Sequence, residues 1–343
     1  MRLVTSARSE EWVVSLIRDL MDVEQNKEAE RVCVLSERIV AACMDVIMTL
    51  EATESSQTSA SKRKSKGKTP RASIGGTADL AGLTVSGVLS TINIFSQVSP
   101  SLVAPHVVAL QTYLSHSGPL TPEAATVLQK VATMIEQGLA LVEGPLPEVF
   151  RKSLERNLFS LITSGGASVV LAAVRCLCRF VSVVTRDARR IRAFVARLYK
   201  NLDNEAVRNP AAPLPAKMRP PVLRSLYALG AFVRFYDFDD AYADDAQLDG
   251  LDDDAGADGA VPDAMRVGNV ANSVFALFVA YLTNEKRHDL QTRSKALAGL
   301  GFLLVRKAKL ATDPLALDVL GKCLAASSPD EIRTQTLRSF AEL

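Results

Sequence analysis

Four segments of the chain can be laid over one another without gaps, and this internal repeat constrains the fold more than any other sequence feature. The segments are VRCLCRFV from Val174, LYALGAFV from Leu226, LAGLGFLL from Leu297 and LRSFAEL from Leu337. In each one an apolar residue is followed three positions later by a second apolar residue, and then directly by a small residue. Apolar residues at this spacing lie on one face of a helix, so the repeat predicts a helix in each segment.

Two of the small residues, Gly230 and Gly301, are glycines, which lower helix propensity when they stand in a helix interior. Close approach of a second helix explains a missing side chain, so we predict that a neighbouring repeat packs against each glycine. The alternative is a coincidence of two glycines in unrelated helices. The segment starts are 52, 71 and 40 residues apart, and the shortest distance matches a HEAT or armadillo unit of about 40–47 residues. The predicted fold is all-α, an α-solenoid of HEAT-type helix pairs with disordered basic and acidic insertions.

The composition agrees with a helical, core-forming protein. Hydrophobic residues make up 48% of the chain and aromatic residues only 6%, which favours helix-on-helix packing over a β-sandwich. The longest uninterrupted apolar run, Val274–Leu282, is too short to cross a bilayer, and the first residues lack the apolar segment of a signal peptide. Five cysteines without a C-x-x-C pair indicate core residues in a reducing compartment. We therefore expect an intracellular protein with no membrane partner.

Changes in composition along the chain predict its organisation. Residues 1–51 have helical periodicity and are predicted to form N-terminal helices. Residues 52–78 are rich in Ser, Thr, Lys and Gly, which predicts a disordered basic linker. Residues 79–343 are predicted to contain the array of helix pairs, interrupted by a Pro-rich loop at 208–221 and an acidic loop at 242–262. Insertions between repeats are expected to lie on the surface.

The basic linker contains the sequence KRKSKGKTPR, which packs six cations into ten residues. Such a run is typical of a nuclear import signal or a nucleic-acid tether, and equally of a linker that only keeps the chain soluble. Under the first interpretation the import signal consists of Lys62, Arg63, Lys64, Lys66 and Lys68.

A second basic feature is the segment RDARRIRAFVARLYK from position 186 to position 200. At about 100° per residue, five of its cations fall within one arc of roughly 100° on a helix: Arg186, Arg189, Arg190, Arg197 and Lys200. None has a carboxylate at i+4, so a phosphate backbone could lie along the row, in a salt-sensitive and sequence-independent way. The alternative is a solvated outer face. Arg234 and Arg293 are secondary candidates for such contacts, although Arg234 could instead pair with a nearby aspartate.

Sequence motifs for catalysis are nearly absent. The three histidines are scattered, and neither a phosphate-binding loop nor a G-x-S-x-G nucleophile motif occurs. The segment TSGGAS, at 163–168, lacks the lysine of a phosphate loop and is predicted to join two helices. The acidic loop lacks the alternation and terminal Glu of a calcium loop. We expect a protein that is not an enzyme and that holds no cofactor or metal.

Four longer segments closely resemble the HEAT-repeat region of the cohesin loader family, the Nipped-B and Scc2 sister chromatid cohesion proteins. Two of them are SLYALGAFVRFYDFD (Ser225–Asp239) and QTRSKALAGLGFLLVRKAKL (Gln291–Leu310). The others, in the same order as in the family, are TINIFSQVSPSLVAPHVVALQTYL (Thr91–Leu114) and LERNLFSLITSGGASVVLAAVRCLCRFVSVVT (Leu154–Thr185). The resemblance covers residues 79–343 and is most specific in the GAFVRFYDFD and GLGFLLV blocks.

This resemblance implies a hook-shaped helical solenoid that works with a smaller TPR-type partner subunit. Loaders of this family engage the SMC heads and kleisin of cohesin together with double-stranded DNA, and they stimulate the ATPase of cohesin. A nuclear, chromatin-associated location follows from the same resemblance. The hydrolysis belongs to cohesin, which agrees with the lack of catalytic motifs in this sequence.

A different class of solenoid is the alternative: a peptide-binding armadillo or HEAT adaptor, of the nuclear-import or the phosphatase-scaffold type. An import adaptor would show regularly spaced Asn and Trp along successive inner helices, whereas this chain has a single Trp at position 12. A phosphatase scaffold would have shorter and more uniform repeats than the spacings of 52 and 71 residues found between the segments.

Overall fold

The computed structural model describes residues 7–22, 28–60, 84–115, 120–207, 213–238 and 269–341. No strand occurs in these ranges, and the predicted all-α fold is confirmed. Their α-helices are, in chain order, α1 (Ala7–Met21), α2 (Ala29–Ala60), α3 (Val85–Val98), α4 (Val107–Leu110), α5 (Pro122–Leu139), α6 (Glu148–Ser164), α7 (Ala167–Phe180), α8 (Arg189–Val207), α9 (Arg219–Phe235), α10 (Val270–Thr283), α11 (Leu290–Arg306), α12 (Pro314–Leu324) and α13 (Asp330–Ala341).

The chain divides into two compact units, Met1–Phe150 and Arg151–Leu343. In the first unit α1 and α2 pack on α3, and α3 packs on α5. The start of α5 is fixed by its sequence, because the side chain of Thr121 accepts a hydrogen bond from the N–H of Ala124 at 3.2 Å and Pro122 opens the first turn. Inside this helix Gly138 lies against Val107 of α4, where an added Cβ would come within 2.6 Å of a Val107 methyl group.

The second unit is built from two layers of alternating helices. Helices α7, α9, α11 and α13 pack side by side in chain order and are called the B layer. Helices α8, α10 and α12 pack behind them, and α6 joins the same A layer through the Phe159 and Phe194 rings, whose centres are 4.9 Å apart. Each A helix with the B helix that follows it forms one HEAT-type pair, and the four repeat segments of the sequence are the four B helices.

The repeat glycines occupy the contacts between B helices, as the sequence predicts. A Cβ built on Gly230 of α9 would overlap the backbone of Gly299 in α11, and one on Gly301 would lie 2.5 Å from Oγ of Ser339 in α13. In both contacts the residue at the repeat's small position faces the residue two places before the small position of the next repeat. Side chains any larger would hold these backbones apart.

The structure differs from the predicted boundaries in two places. Helix α2 continues to Ala60, so residues 52–60 of the predicted linker are helical, which their Glu, Ala and Gln content tolerates. Helix α9 begins at Arg219, inside the predicted Pro-rich loop, because Pro220 and Pro221 occupy its first turn, where proline is favoured. Helix α4 lies between two short 3₁₀ turns, Ala104–His106 and Gln111–Leu114.

Two of the predicted features lie outside the described residues. They are the basic cluster from Lys62 to Lys68 and the acidic loop at 242–262. In the described part, the stretch Ala167–Thr185 is long and apolar enough to span a bilayer by length and composition. Half of this stretch is buried inside the chain, where α7 packs on α9, and a core helix of a soluble protein meets the same criterion.

Candidate nucleic-acid interface

The predicted cation row on α8 is shorter than the sequence suggests. Arg186 is exposed but precedes the helix, because α8 begins at Arg189 and a π-helical turn, Val181–Thr185, comes before it. Its backbone has φ of 52°, the left-handed conformation, and its N–H donates to the Val181 carbonyl at 2.8 Å. The predicted helical arc is therefore wrong for Arg186, since a chain that turns out of the helix does not keep the 100° spacing.

Carboxylates from outside α8 neutralise part of this row. The guanidinium of Arg189 pairs with Asp187 at 2.8 Å, and that of Arg190 pairs with Glu155 of α6. The hydrogen bond from Arg189 lowers the pKa of the Asp187 carboxyl, so this carboxylate stays charged. The sequence lacks acids at i+4, but this spacing says nothing about a partner in the preceding turn, such as Asp187, or on another helix, such as Glu155.

The remaining predicted residues of α8 divide between surface and core. Arg197 is exposed and lies over the ring of Phe194 on its own helix, 5.3 Å from the ring centre. Lys200 is half-buried. On the other face of α8, Ile191, Phe194 and Val195 are buried and Leu198 is half-buried. A cation that the sequence reasoning left out, Arg192, is buried as well and donates to the Phe238 carbonyl at 3.1 Å.

The two secondary candidates have different surroundings. Arg293 is almost buried, with 11% of its side chain exposed, and pairs with Glu285 at 2.6 Å, which makes it a structural cation. Arg234 lies between two aromatic rings instead. The acid that follows it, Asp237, accepts hydrogen bonds from Lys307 at 3.1 Å and from Arg306 at 3.4 Å.

A stronger basic feature lies in the B layer, and the sequence reasoning missed it. Helices α7, α9 and α11 contain no Asp or Glu along their lengths, whereas α8 contains five cations and two acids. The eight cations of the three B helices are Arg175, Arg179, Arg219, Arg224, Arg234, Arg293, Lys295 and Arg306. The sequence signal for this feature is the lack of Asp and Glu in three successive B helices. It can be recognised once the helix boundaries are known.

Carboxylates reach only some of these B-layer cations. Arg219 pairs with Asp289 at 2.9 Å, and Arg293 and Arg306 have the partners described above. Arg179, Arg224 and Lys295 have no carboxylate within ion-pair distance among the described residues. Uncompensated charge on neighbouring helices raises the local positive potential and attracts polyanions.

Aromatic rings hold several of the B-layer cations in place. A continuous chain of contacts, here called the cation–aromatic ladder, crosses α7, α9 and α11 in the order Arg175, Phe235, Arg234, Phe302, Tyr227, Lys295.

The distances along the ladder are those of cation–π and ring–ring contacts. The guanidinium of Arg234 is 5.4 Å from the ring centre of Phe235 and 5.1 Å from that of Phe302. Phe302 meets Tyr227 edge-on at 5.4 Å. At the two ends, Arg175 lies 5.9 Å from the Phe235 ring and the Lys295 ammonium 5.1 Å from the Tyr227 ring. The four cation–ring separations lie within the range of about 6 Å for cation–π attraction.

The chemistry of the ladder suits phosphate binding. A guanidinium stacked on a ring keeps the N–H groups of its edge available, and these match the geometry of phosphate oxygens. Arg175 is exposed, and Arg234 and Lys295 are partly exposed, whereas Phe302 beneath them is buried. The described residues contain no group of three or more His, Cys, Asp or Glu side chains that could hold a metal. Burial raises the pKa of the Cys178 thiol in α7, so it is not a reactive group.

Comparison with known proteins gives a consistent set of relatives. No protein-family model matches the chain. The Nipped-B-like protein of Mus musculus is 27% identical over 256 residues, which cover 74% of this chain and 8% of the mouse protein. The Nipped-B-like protein scc-2 of Caenorhabditis elegans is 25% identical over 253 residues, 73% of this chain and 11% of the worm protein. The chain thus spans about a tenth of the length of these relatives.

A solved structure has the same fold. The chain is similar to the Chaetomium thermophilum cohesin loader SCC2, C-terminal fragment, with a TM-score of 0.62 and 13% sequence identity. The match covers 98% of this chain and 23% of that one.

Proposed function

Because this chain belongs to the cohesin loader family of Nipped-B and Scc2, we propose that it is a HEAT-repeat segment that acts in cohesin loading and sister chromatid cohesion. Its partners in this role are the SMC heads and kleisin of cohesin, a TPR-type loader subunit and double-stranded DNA. Its place is in the nucleus, on chromatin. It stimulates the cohesin ATPase by binding and does no chemistry of its own.

The observation that carries the DNA-binding part is the absence of acids from three successive B helices. Their cations lie on neighbouring helices of one layer, so a phosphate backbone can contact several of them at once. Sequence-independent binding needs only this, since phosphates are the same at every base pair. Three exposed or partly exposed cations support this surface, because they have no carboxylate within ion-pair distance in the part of the chain that the structure describes: Arg179, Arg224 and Lys295.

The cations of α8, together with Arg186 just before it, form a second proposed surface. Arg186 and Arg197 are exposed, and Lys200 is half-buried on the same helix as Arg197. Arg189 and Arg190 are exposed too, but their carboxylate partners reduce the charge that they offer to DNA. We propose that these five residues contact DNA or a cohesin subunit and that their share in DNA binding is smaller than that of the B layer.

A salt series of duplex DNA binding tests the proposed function. The chain is titrated against a labelled 30-base-pair duplex by fluorescence anisotropy at several salt concentrations. Three triple variants have the same loss of charge: Arg179→Gln, Arg224→Gln and Lys295→Gln in the B layer; Arg186→Gln, Arg197→Gln and Lys200→Gln around α8; and Arg156→Gln, Lys217→Gln and Lys309→Gln as the control, whose cations are exposed.

We expect wild-type affinity to fall steeply with salt, because each neutralised phosphate releases counterions. The slope of log affinity against log salt should fall by about one per lost contact, so the B-layer variant should lose about two to three and the α8 variant less. The control variant should keep the wild-type slope. A wild-type chain that binds no DNA at low salt would overturn the proposal, and so would a control variant that loses as much as the B-layer variant.

A further inference from the structure

We infer that the aromatic residues of the cation–aromatic ladder, Tyr227, Phe235 and Phe302, are positioning residues for DNA binding. They hold Arg175, Arg234 and Lys295 in the arrangement in which these cations meet the phosphates. This inference rests on the proposed function, and it names the uncharged residues on which that function depends.

The contacts of Arg234 give the first reason. Its guanidinium lies between Phe235, its neighbour in α9, and Phe302 of the next B helix, with similar distances of 5.4 and 5.1 Å to the two ring centres. A long side chain on a helix surface ordinarily samples many rotamers, and immobilising it on binding costs free energy. Two flanking rings restrict Arg234 before DNA arrives, so less of this cost falls on the binding step.

The order of the ladder gives the second reason. Phe235 touches cations from two different helices, Arg175 of α7 and Arg234 of α9. Tyr227 likewise joins Phe302 and Lys295, both of α11, to α9. The rings therefore fix the positions of cations on different helices relative to one another. A polyanion with regularly spaced charges binds more tightly when the spacing between the cations is fixed, because it contacts several of them at once. A single anion contacts one cation and does not depend on this spacing.

The burial of the rings gives the third reason. Phe302 is buried, and Tyr227 and Phe235 are half-buried, with cations over their faces. Rings covered in this way are not platforms on which bases can stack, which separates the ladder from single-strand binding sites. The ligand of this surface is the phosphate backbone of duplex DNA, and the rings act on it through the cations.

Variants that keep the charge test this inference. Tyr227→Leu and Phe235→Leu each remove one ring, and Arg234→Lys keeps the cation but loses the planar group that stacks between two rings. The matched control is Phe340→Leu in α13, which removes an exposed aromatic residue of the same layer, outside the ladder. All are measured in the same DNA assay, with wild type alongside and circular dichroism melts as the check on folding.

We expect each ladder variant to bind DNA about three- to tenfold more weakly, as the loss of one preorganised side chain implies, with the wild-type salt slope, because no phosphate contact is removed. The control should bind as wild type does.

Wild-type affinity in all three ladder variants, while the wild-type chain binds DNA, would overturn this inference and leave the proposed function standing. A reduced salt slope would also overturn it, since the rings would then do more than position cations. No binding by the wild-type chain would instead defeat the proposed function itself. Because Tyr227→Leu and Phe235→Leu remove different rings, either variant remains decisive if the other unfolds.

Discussion

The A and B layers connect the same two helix pairs in different ways. Between α9 and α11, in the B layer, Gly230 and Gly299 face each other with no side chain between the backbones. Between α8 and α10, in the A layer, a large side chain bridges the helices, because the hydroxyl of Tyr281 donates to the Leu202 carbonyl at 2.9 Å. At the contact between α9 and α11 the close backbones leave room for small residues only.

This difference also explains where uncompensated charge is found. At the C-terminal end of α8, the side chain of Arg287 enters the interior. Its Nε donates to the backbone carbonyl of Glu205 at 2.9 Å, and its Nη2 donates to the Glu205 carboxylate at 3.2 Å. A buried cation must have such a partner. The B-layer cations other than Arg293 are exposed or partly exposed, and rings lie beside Arg175, Arg234 and Lys295. The comparison teaches that a cation that enters the core, as Arg287 does, serves folding, whereas an exposed B-layer cation such as Arg179 is available for binding.

The largest expected effect is that of Arg287→Met, which removes the A-layer anchor. Arg287 is 5% exposed and its partner Glu205 is 14% exposed, so the substitution leaves a carboxylate largely buried without its cation. We expect the free energy of unfolding to fall by about 3–5 kcal/mol, measured by urea denaturation. The control is Arg333→Met, which breaks an ion pair with Asp330 at the surface and should cost less than about 1 kcal/mol. Equal losses in both variants would remove the distinction between anchor and surface pair.

The next effect concerns the B layer and uses two glycines. Gly230→Ala places a methyl group against the Gly299 backbone, and we expect a loss of about 1–3 kcal/mol from overpacking. Gly321→Ala in α12 is the matched change in the A layer, because nothing lies within 4 Å of its added Cβ. There alanine should stabilise the exposed helix by up to about 1 kcal/mol. If chemical denaturation gave both variants the same sign, the close approach of α9 and α11 would not be the reason for the glycine.

The packing of the B layer was largely predictable from sequence because it repeats. The prediction that Gly230 and Gly301 lie at helix contacts is confirmed. Their partners Gly299 and Ser339 were not predicted, although both stand two places before the small residue of their own repeat, as Ala228 does in α9. Each contact joins the small position of one repeat to the position two places earlier in the next repeat. A comparison of the small positions alone therefore does not reveal the partner.

The ladder and the ion pairs were beyond prediction for a physical reason. Arg175 and Phe235, or Arg190 and Glu155, are far apart in sequence and meet only because successive helix pairs stack in a particular register. Helical periodicity gives the face of a residue on its own helix, and the apolar residues Ile191 and Val195, four positions apart, are both buried. It carries no information about the side chain that the next helix places opposite.

The smallest expected effect is a pH dependence in the A layer, caused by His288. This side chain is 2% exposed, stacks on Tyr281 with ring centres 4.3 Å apart, and neither ring nitrogen has a hydrogen-bond partner among the described residues. Burial, and next to it the Arg287 cation, lowers its pKa from 6.5 to about 4, against a weaker opposing pull from Asp289. The unfolded chain therefore takes up a proton as the pH falls through 6.5 while the folded chain does not, so stability is retained above pH 6.5 and declines towards pH 4.

We expect His288 to account for a loss of about 1 kcal/mol between pH 7 and 5.5 in urea denaturation. His288→Phe keeps a ring against Tyr281 and should lose this part of the pH dependence, whereas the same pH dependence in variant and wild type would assign it to other groups.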